Sequence, residues 1–142
     1  MAVSGASVNS GSLDLFVNGT LMRGLPLHHH LQGAEFLGEV RTAARYRLFS
    51  IGDEHPGMFE VTSGGVAVAG ELYRLSPDLC RQVEDGEPPG LHIGDVHLED
   101  GRTVSGVLYE MRLAEGHHKD ISSFGGWRRY VESMASESVA AG

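Results

Sequence analysis

Short β-favouring runs, broken by glycine and proline, are the feature that most constrains how this chain of 142 residues folds. Branched and aromatic residues dominate these runs, which lie at 13–17, 46–51, 58–61, 66–73, 93–98 and 103–112. Runs of this number and spacing are typical of a curled sheet or a small barrel rather than a helical bundle. The pair Asp100-Gly101 predicts a hairpin between two of them.

Helical signals are fewer. Ser76 has the character of an N-cap and Pro77 that of a first helical residue, so we expect a helix over 77–83. Two further short helices are predicted over 26–32 and 124–134. The sequence therefore predicts an α+β fold, a small mixed β-barrel with a few short flanking helices.

The apolar runs define one expected domain at 13–132, which is large enough to bury a core. Residues 1–12 and 133–142 are mostly small or polar, and we expect them to be disordered N-terminal and C-terminal tails. The single cysteine, Cys80, excludes an internal disulfide.

Charge and hydropathy narrow the classes of function. Eleven Lys and Arg face nineteen Asp and Glu, a formal net charge of −8, and the basic residues form no run. Nucleic acid is therefore not expected as a partner, because binding a polyanion needs a clustered basic face. The chain has no apolar stretch near ~20 residues and no signal-peptide pattern, so we expect a soluble, cytoplasmic protein without a membrane partner.

The first strand run passes directly into a loop rich in groups that bind anions. Asn18-Gly19 tolerates positive φ, and the loop Asn18, Gly19, Thr20, Leu21 and Met22 offers backbone N–H groups and one hydroxyl. Arg23 follows with a fixed positive charge. We expect this loop to bind a substrate; the alternative is a tight turn after the first strand.

This loop resembles the YGTLMRG-type substrate loop of the γ-glutamylcyclotransferase fold, with Asn18 where that family usually has Tyr. The resemblance continues over residues 13–132 to the C-terminal domain of allophanate hydrolases, a relative of the cyclotransferases. It rests on GLPLHHHL at 24–31, ARYRLF at 44–49, GELYRL at 70–75, LHIGDVHLEDGR at 91–102 and DISSFGGWRRY at 120–130. Several motifs in a fixed order are far more specific than any one of them. The resemblance implies a γ-glutamylcyclotransferase-like barrel.

Glu87 is the first catalytic candidate. The segment 83–88 resembles the cyclotransferase pattern LDxLEGxP and aligns Glu87 with its catalytic glutamate, although Gly86 replaces a leucine and Pro88 a glycine. The resemblance implies that this carboxylate takes a proton from the substrate's α-amine and returns it to the leaving nitrogen. The alternative is that Glu84, Asp85 and Glu87 form a solvated acidic loop.

His29 is the second catalytic candidate, because the relatives have GMPLNHQL here and their histidine aligns with His29. An imidazole beside the anion loop could bind a carboxylate or transfer a proton near neutral pH. The alternative is a surface cluster of His28, His29 and His30. Metal binding is not expected, since consecutive helical residues point about 100° apart and no second ligand cluster supports these histidines.

Two more side chains are expected to help bind a substrate. Arg45, or its neighbour Arg47, could bring a positive charge to the pocket from the run at 46–51. Tyr109 aligns with an aromatic residue on a barrel strand, although core packing is the commoner use of such a residue. Trp127 is expected to cover one end of the barrel.

Three functions stay open. The first is a lyase-type reaction on a small carboxylated amide, most simply γ-glutamylcyclotransferase-like cyclisation that releases an amine. This is placed first because the sequence contains no amidase-type segment to supply a short-lived N-carboxy compound. The alternatives are decarboxylation of an N-carboxycarbamate-like compound, as in allophanate hydrolase C-terminal domains, and a non-catalytic metabolite-binding or amidase-accessory module. No cofactor is implied, and the partners considered are a small-molecule substrate, a separate amidase-type protein and a second copy of the chain in a homodimer.

Overall fold

The computed structural model describes residues 13–86 and 90–141. Eight strands follow the chain as β1 Leu13–Val17, β2 Glu35–Arg41, β3 Tyr46–Ile51, β4 His55–Glu60, β5 Ala69–Leu75, β6 Leu91–His97, β7 Thr103–Tyr109 and β8 Lys119–Asp120. The α-helices are α1 Pro77–Asp85, α2 Met111–Ala114 and α3 Trp127–Ala141. Two 3₁₀ turns lie at His28–Leu31 and Ser122–Phe124.

The larger sheet has the order β2-β5-β1-β7-β6, with β1 antiparallel to β5 and parallel to β7. β1 occupies the centre because Leu15, Phe16 and Val17 are all buried, which suits a strand covered on both faces. The two edge strands also meet beyond their ends. Glu99 N–H donates to Arg41 O at 3.0 Å, and Ala43 N–H donates to His97 O at 2.8 Å. The sheet therefore curls round and brings its two edges together just beyond the ends of β2 and β6, in the manner of a small mixed barrel.

The smaller sheet has the order β4-β3-β8 and brings β4 beside the loop that follows β1. Pro56 of β4 packs directly on Gly19, where an added Cβ would lie 2.5 Å from Pro56 Cδ. Gly57 packs in the same way under the ring of Tyr109, where an added Cβ would lie 2.8 Å from Tyr109 Cδ2. These two glycines let β4 approach both the loop and β7, so the start of β4 becomes one wall of a cavity.

The main core fills the curled sheet with aliphatic and aromatic side chains from most elements. Tyr46 is wholly buried, and its hydroxyl accepts a hydrogen bond from His97 N–H at 2.9 Å. Burial raises the pKa of Tyr46 above its ordinary value, so the hydroxyl stays neutral. Trp127, at the start of α3, is 3% exposed and packs on Tyr130, with ring centroids 5.6 Å apart.

The expected α+β class is confirmed, and so are several element bounds. β1 and β3 have the predicted limits, and α1 begins at Pro77 as expected. The strand β2 was not predicted. Its residues Glu-Phe-Leu-Gly-Glu-Val-Arg lie at a half-exposed edge, with a bulge beside Gly38, so no clean alternation marks it. Helix α3 extends past position 133, where the sequence predicted a tail, because Ala, Glu and Met favour helix.

Candidate active site

The loop at 18–21 lines a cavity of about 160 Å³. Apolar side chains from separate elements complete most of the wall, namely Val17, Leu27, Pro56, Leu91 and Val107. The ionisable side chains among the described lining residues are Glu54 and His55, from the turn before β4 and its first residue. The cavity thus combines an amide-rich loop, an apolar wall and two groups that can carry charge, a combination typical of small-molecule sites.

Hydrogen bonds fix the loop through its carbonyl groups. Met22 N–H donates to Gly19 O at 3.0 Å and Leu27 N–H to Thr20 O at 2.9 Å, while His28 Nδ1 lies 2.9 Å from Leu21 O. A carbonyl only accepts, so His28 Nδ1 carries the proton in that contact. Across residues 13–86 and 90–141, no acceptor bonds the N–H groups of Gly19, Thr20 or Leu21. Three amides are therefore available to an anion in the cavity.

Of the two residues at the ends of this loop, Asn18 lines the same cavity and Met22 does not. The Asn18 side chain is buried, and its Nδ2 donates to the sulfur of Met58 at 3.2 Å. Met22 is 3% exposed and lines a different cleft. Gly19, Thr20 and Leu21 line the cavity, and their N–H groups have no acceptor among the described residues.

A buried carboxylate, Glu71 of β5, holds the chain just after the loop. Its Oε1 accepts from Arg23 N–H at 2.9 Å and from Tyr73 OH at 2.8 Å. Its Oε2 accepts from Arg128 at 3.1 Å and lies 3.4 Å from Arg23 Nε, and the side chain is 3% exposed. Burial alone would raise the pKa of Glu71, but these donors outweigh it and hold the pKa below its ordinary value. Glu71 is therefore an anion at neutral pH that anchors Arg23.

Sequence reasoning missed Glu71, Glu54 and His55. The signal for Glu71 was a lone acidic residue inside the apolar strand run at 66–73, since a charge there must be paired. Glu54 and His55 stand between two strand runs and ahead of a proline, a pattern typical of many surface turns. Their approach to the loop comes from the contact of Pro56 with Gly19, which links positions far apart in the chain.

The other side chains proposed from the sequence lie in different places. Glu87 falls outside the described residues. His29 is exposed on the 3₁₀ turn and stacks edge-on with His30, ring centroids 4.4 Å apart, and it is not among the described residues that line the cavity. Arg45 is exposed and pairs with Glu60 at 3.3 Å. Tyr109 is buried behind the cavity wall, its ring centroid 6.2 Å from that of His55.

A second cleft, of about 830 Å³, is lined by Met22, Glu71 and residues of β2 and α3. Its charged lining side chains mix both signs, with Glu39, Glu71, Glu99 and Glu132 beside Arg41, Arg128 and Arg129. Arg128 is already engaged there, donating to Arg23 O at 2.8 Å as well as to Glu71. Half of the residues that line this cleft are charged, whereas the smaller cavity combines the loop predicted from the sequence with an apolar wall, so we assign the candidate site to the smaller cavity.

Two further observations concern metals and membranes. No group of three or more His, Cys, Asp or Glu within the described ranges is arranged to hold a metal ion. Of the helices that the structure describes, none is long and apolar enough to cross a bilayer.

The curled mixed sheet with few short helices is the architecture of γ-glutamylcyclotransferase-type structures. Within that class, residues 13–132 match the model of the allophanate hydrolase C-terminal domain. The chain belongs to this family.

Three proteins show what the chain is similar to. A solved structure of a uropathogenic E. coli-specific protein is 46% identical, with a TM-score of 0.81, and the match covers 85% of this chain and 96% of that one. Urea amidolyase from Saccharomyces cerevisiae is 31% identical over 137 residues, 88% of this chain but 7% of the yeast protein. A putative γ-glutamylcyclotransferase from Vibrio cholerae is 34% identical over 70 residues, 49% of this chain and 57% of that protein.

Proposed function

We propose that the chain is a lyase-type enzyme for a small carboxylated amide, and that it cyclises γ-glutamyl amines with release of the amine. The observation that carries this proposal is the set of three free amides, at Gly19, Thr20 and Leu21, in a cavity that also holds ionisable side chains. Backbone N–H groups fixed in this way stabilise a carboxylate or a developing oxyanion without reorganising during the reaction. The match to the Vibrio protein agrees with cyclisation.

In the proposed reaction the substrate's α-amine attacks its own γ-carbonyl carbon. The amine loses a proton as the new C–N bond forms, and the carbonyl oxygen becomes an oxyanion beside the loop amides. Collapse breaks the old C–N bond, and the leaving nitrogen takes up a proton. The products are 5-oxoproline and a free amine, so the enzyme has to move one proton and needs no water or cofactor.

Glu87 is the proposed base for the α-amine. Leu91, four residues later in the chain, lines the cavity. The alignment of Glu87 with the catalytic glutamate of the cyclotransferase pattern supports this role.

The test of this proposal is mass spectrometry of the purified protein with a panel of γ-glutamyl amides, dipeptides and N-carboxylated ureas. We expect 5-oxoproline and the matching amine. Glu87→Gln should lower turnover by ~10²-fold or more, because an amide cannot accept the proton, while Asp85→Asn, at the exposed end of α1, should leave it unchanged. Equal activity in the Glu87→Gln and Asp85→Asn variants would remove Glu87 from the mechanism.

Decarboxylation of an N-carboxycarbamate-like compound is the second candidate, and the family match over residues 13–132 favours it. Loss of CO₂ leaves an electron pair on nitrogen that must be protonated, so a histidine such as His29, or Arg45 as a carboxylate clamp, would matter more than Glu87. Release of CO₂ from N-carboxylated ureas in the same panel, without 5-oxoproline, would replace our proposal with this one. Binding of panel compounds without any product would indicate the accessory-module alternative.

A further inference from the structure

We propose that His55 is the acid of this site, and that its Nε2 atom delivers the proton to the leaving nitrogen. This inference rests on the proposed function, and it assigns the half of the proton transfer that Glu87 does not perform. His55 and the loop amides line one cavity, and His55 is half-buried there while its neighbour Glu54 is exposed.

The hydrogen bonding of His55 identifies which ring nitrogen can act. Nδ1 lies 3.0 Å from Pro56 O. A carbonyl oxygen only accepts, so Nδ1 keeps its proton in this contact. Nε2 is then the atom that gains and loses a proton as the ring changes charge. No described residue forms a hydrogen bond or ion pair with Nε2, which leaves it available to a bound molecule.

Packing holds the ring in this orientation. The aromatic ring of Tyr109, from β7, meets the His55 ring at 63° with 6.2 Å between centroids. Tyr109 is itself fixed against Gly57 and Gly90, where added Cβ atoms would lie 2.8 and 2.7 Å from its ring. The ionisable groups that face His55 in the described structure are Glu54, in the same turn, and the Tyr109 phenol.

The chemistry of the leaving group explains why an acid is needed. An alkylamine is a poor leaving group unless its nitrogen is protonated as the C–N bond breaks, and an imidazolium is a suitable donor near neutral pH. Glu87 takes the proton from the attacking α-amine, and Nε2–H of His55 gives one to the leaving nitrogen. The site is reset when the proton passes from Glu87 to His55, directly or through solvent.

This role predicts a dependence on the leaving group. In His55→Asn the amide nitrogen can still donate to Pro56 O, but no atom replaces Nε2. We expect turnover of γ-glutamyl alkylamides to fall by ~10²-fold or more. Turnover of γ-glutamyl p-nitroanilide should fall by less than about threefold, since its weakly basic aniline leaves without an acid. A merely structural role would lower both rates equally, and that result would overturn the proposal.

The pH profile gives a second readout. With an alkylamide substrate, kcat/KM of the wild type should show an alkaline limb where the acid of the reaction is lost, and the variant should lack that limb. His30→Asn, which changes an exposed histidine outside the described lining of the cavity, is the matched control and should keep both the rate and the limb. An unchanged limb in His55→Asn would contradict the assignment.

Failure of the proposed function is separable from failure of this inference. If the wild type turns over no γ-glutamyl compound, cyclisation is wrong, and His55 is tested by nitrogen-15 NMR with glutarate as the carboxylate probe. We expect a proton on Nδ1 in the neutral ring and a shift of the Nε2 resonance when glutarate is added, with no shift for His30. A proton on Nε2, or no response to glutarate, would overturn the role of His55.

Discussion

At the scale of single residues, some belong to the loop that would bind a substrate and others hold that loop in place. Glu71 belongs to the second group, because one carboxylate satisfies the backbone N–H of Arg23 and the side chains of Tyr73 and Arg128. A buried charge that loses its partner is costly, so removing either Glu71 or its donors lowers the stability of the fold around the loop. Burial raises the pKa of Tyr73, and the hydrogen bond to the charged Glu71 raises it further. The Tyr73 hydroxyl therefore keeps its proton and donates to Glu71.

Glu71→Gln is therefore expected to lower the free energy of unfolding by about 1.5–3 kcal/mol, since hydrogen bonds to a buried charge are lost while Arg23 and Arg128 stay half-exposed to solvent. Glu39→Gln is the matched control, because Glu39 pairs with the same Arg23 at 3.0 Å but its side chain is 74% exposed. That change should cost no more than about 1 kcal/mol. Urea unfolding of both variants measures the difference, and similar losses would show that burial of Glu71 contributes little.

The lowered pKa of Glu71 also fixes the sign of a pH effect. The unfolded carboxyl titrates near 4.5, and the folded one titrates lower. The stabilisation is therefore fully present above pH 4.5 and shrinks as pH falls through the folded-state pKa. We expect the stability gap between wild type and Glu71→Gln to be constant at neutral pH and to narrow below 4.5. A gap that widens in acid would contradict this assignment.

At the scale of elements, the site depends on the approach of β4 to the loop after β1. The tight packing of Pro56 on Gly19 sets that approach. Gly19→Ala should push the two apart, lower the free energy of unfolding by about 1–3 kcal/mol and weaken glutarate binding. Gly86→Ala is the control, because its Cβ would meet nothing nearer than 3.4 Å. Calorimetric titration with glutarate and urea unfolding measure the two effects in both variants. If Gly19→Ala changes neither glutarate binding nor stability, the site does not depend on the contact between Gly19 and Pro56.

At the scale of the whole molecule, the sequence predicted those elements whose limits are set by residues close together in the chain. β1 and β3 are short runs rich in aliphatic and aromatic residues, and α1 carries its own start signal, so their limits were readable from the sequence. The place of the loop after β1 was also predicted, since its glycine is a local feature, and its binding of an anion stays a prediction. The edge strand β2 and the place of His55 beside the loop were not, because strand pairing and the Gly19–Pro56 contact join distant positions.

The central claim is that the amides of Gly19, Thr20 and Leu21 bind the carboxylate or oxyanion of a small substrate. A crystal structure of the protein with glutarate tests it most directly. We expect a carboxylate oxygen about 2.7–3.2 Å from at least two of these amide nitrogens, in the cavity beside His55. Glutarate bound only to the arginines of the larger cleft, with the three loop amides paired to the protein itself, would contradict the account.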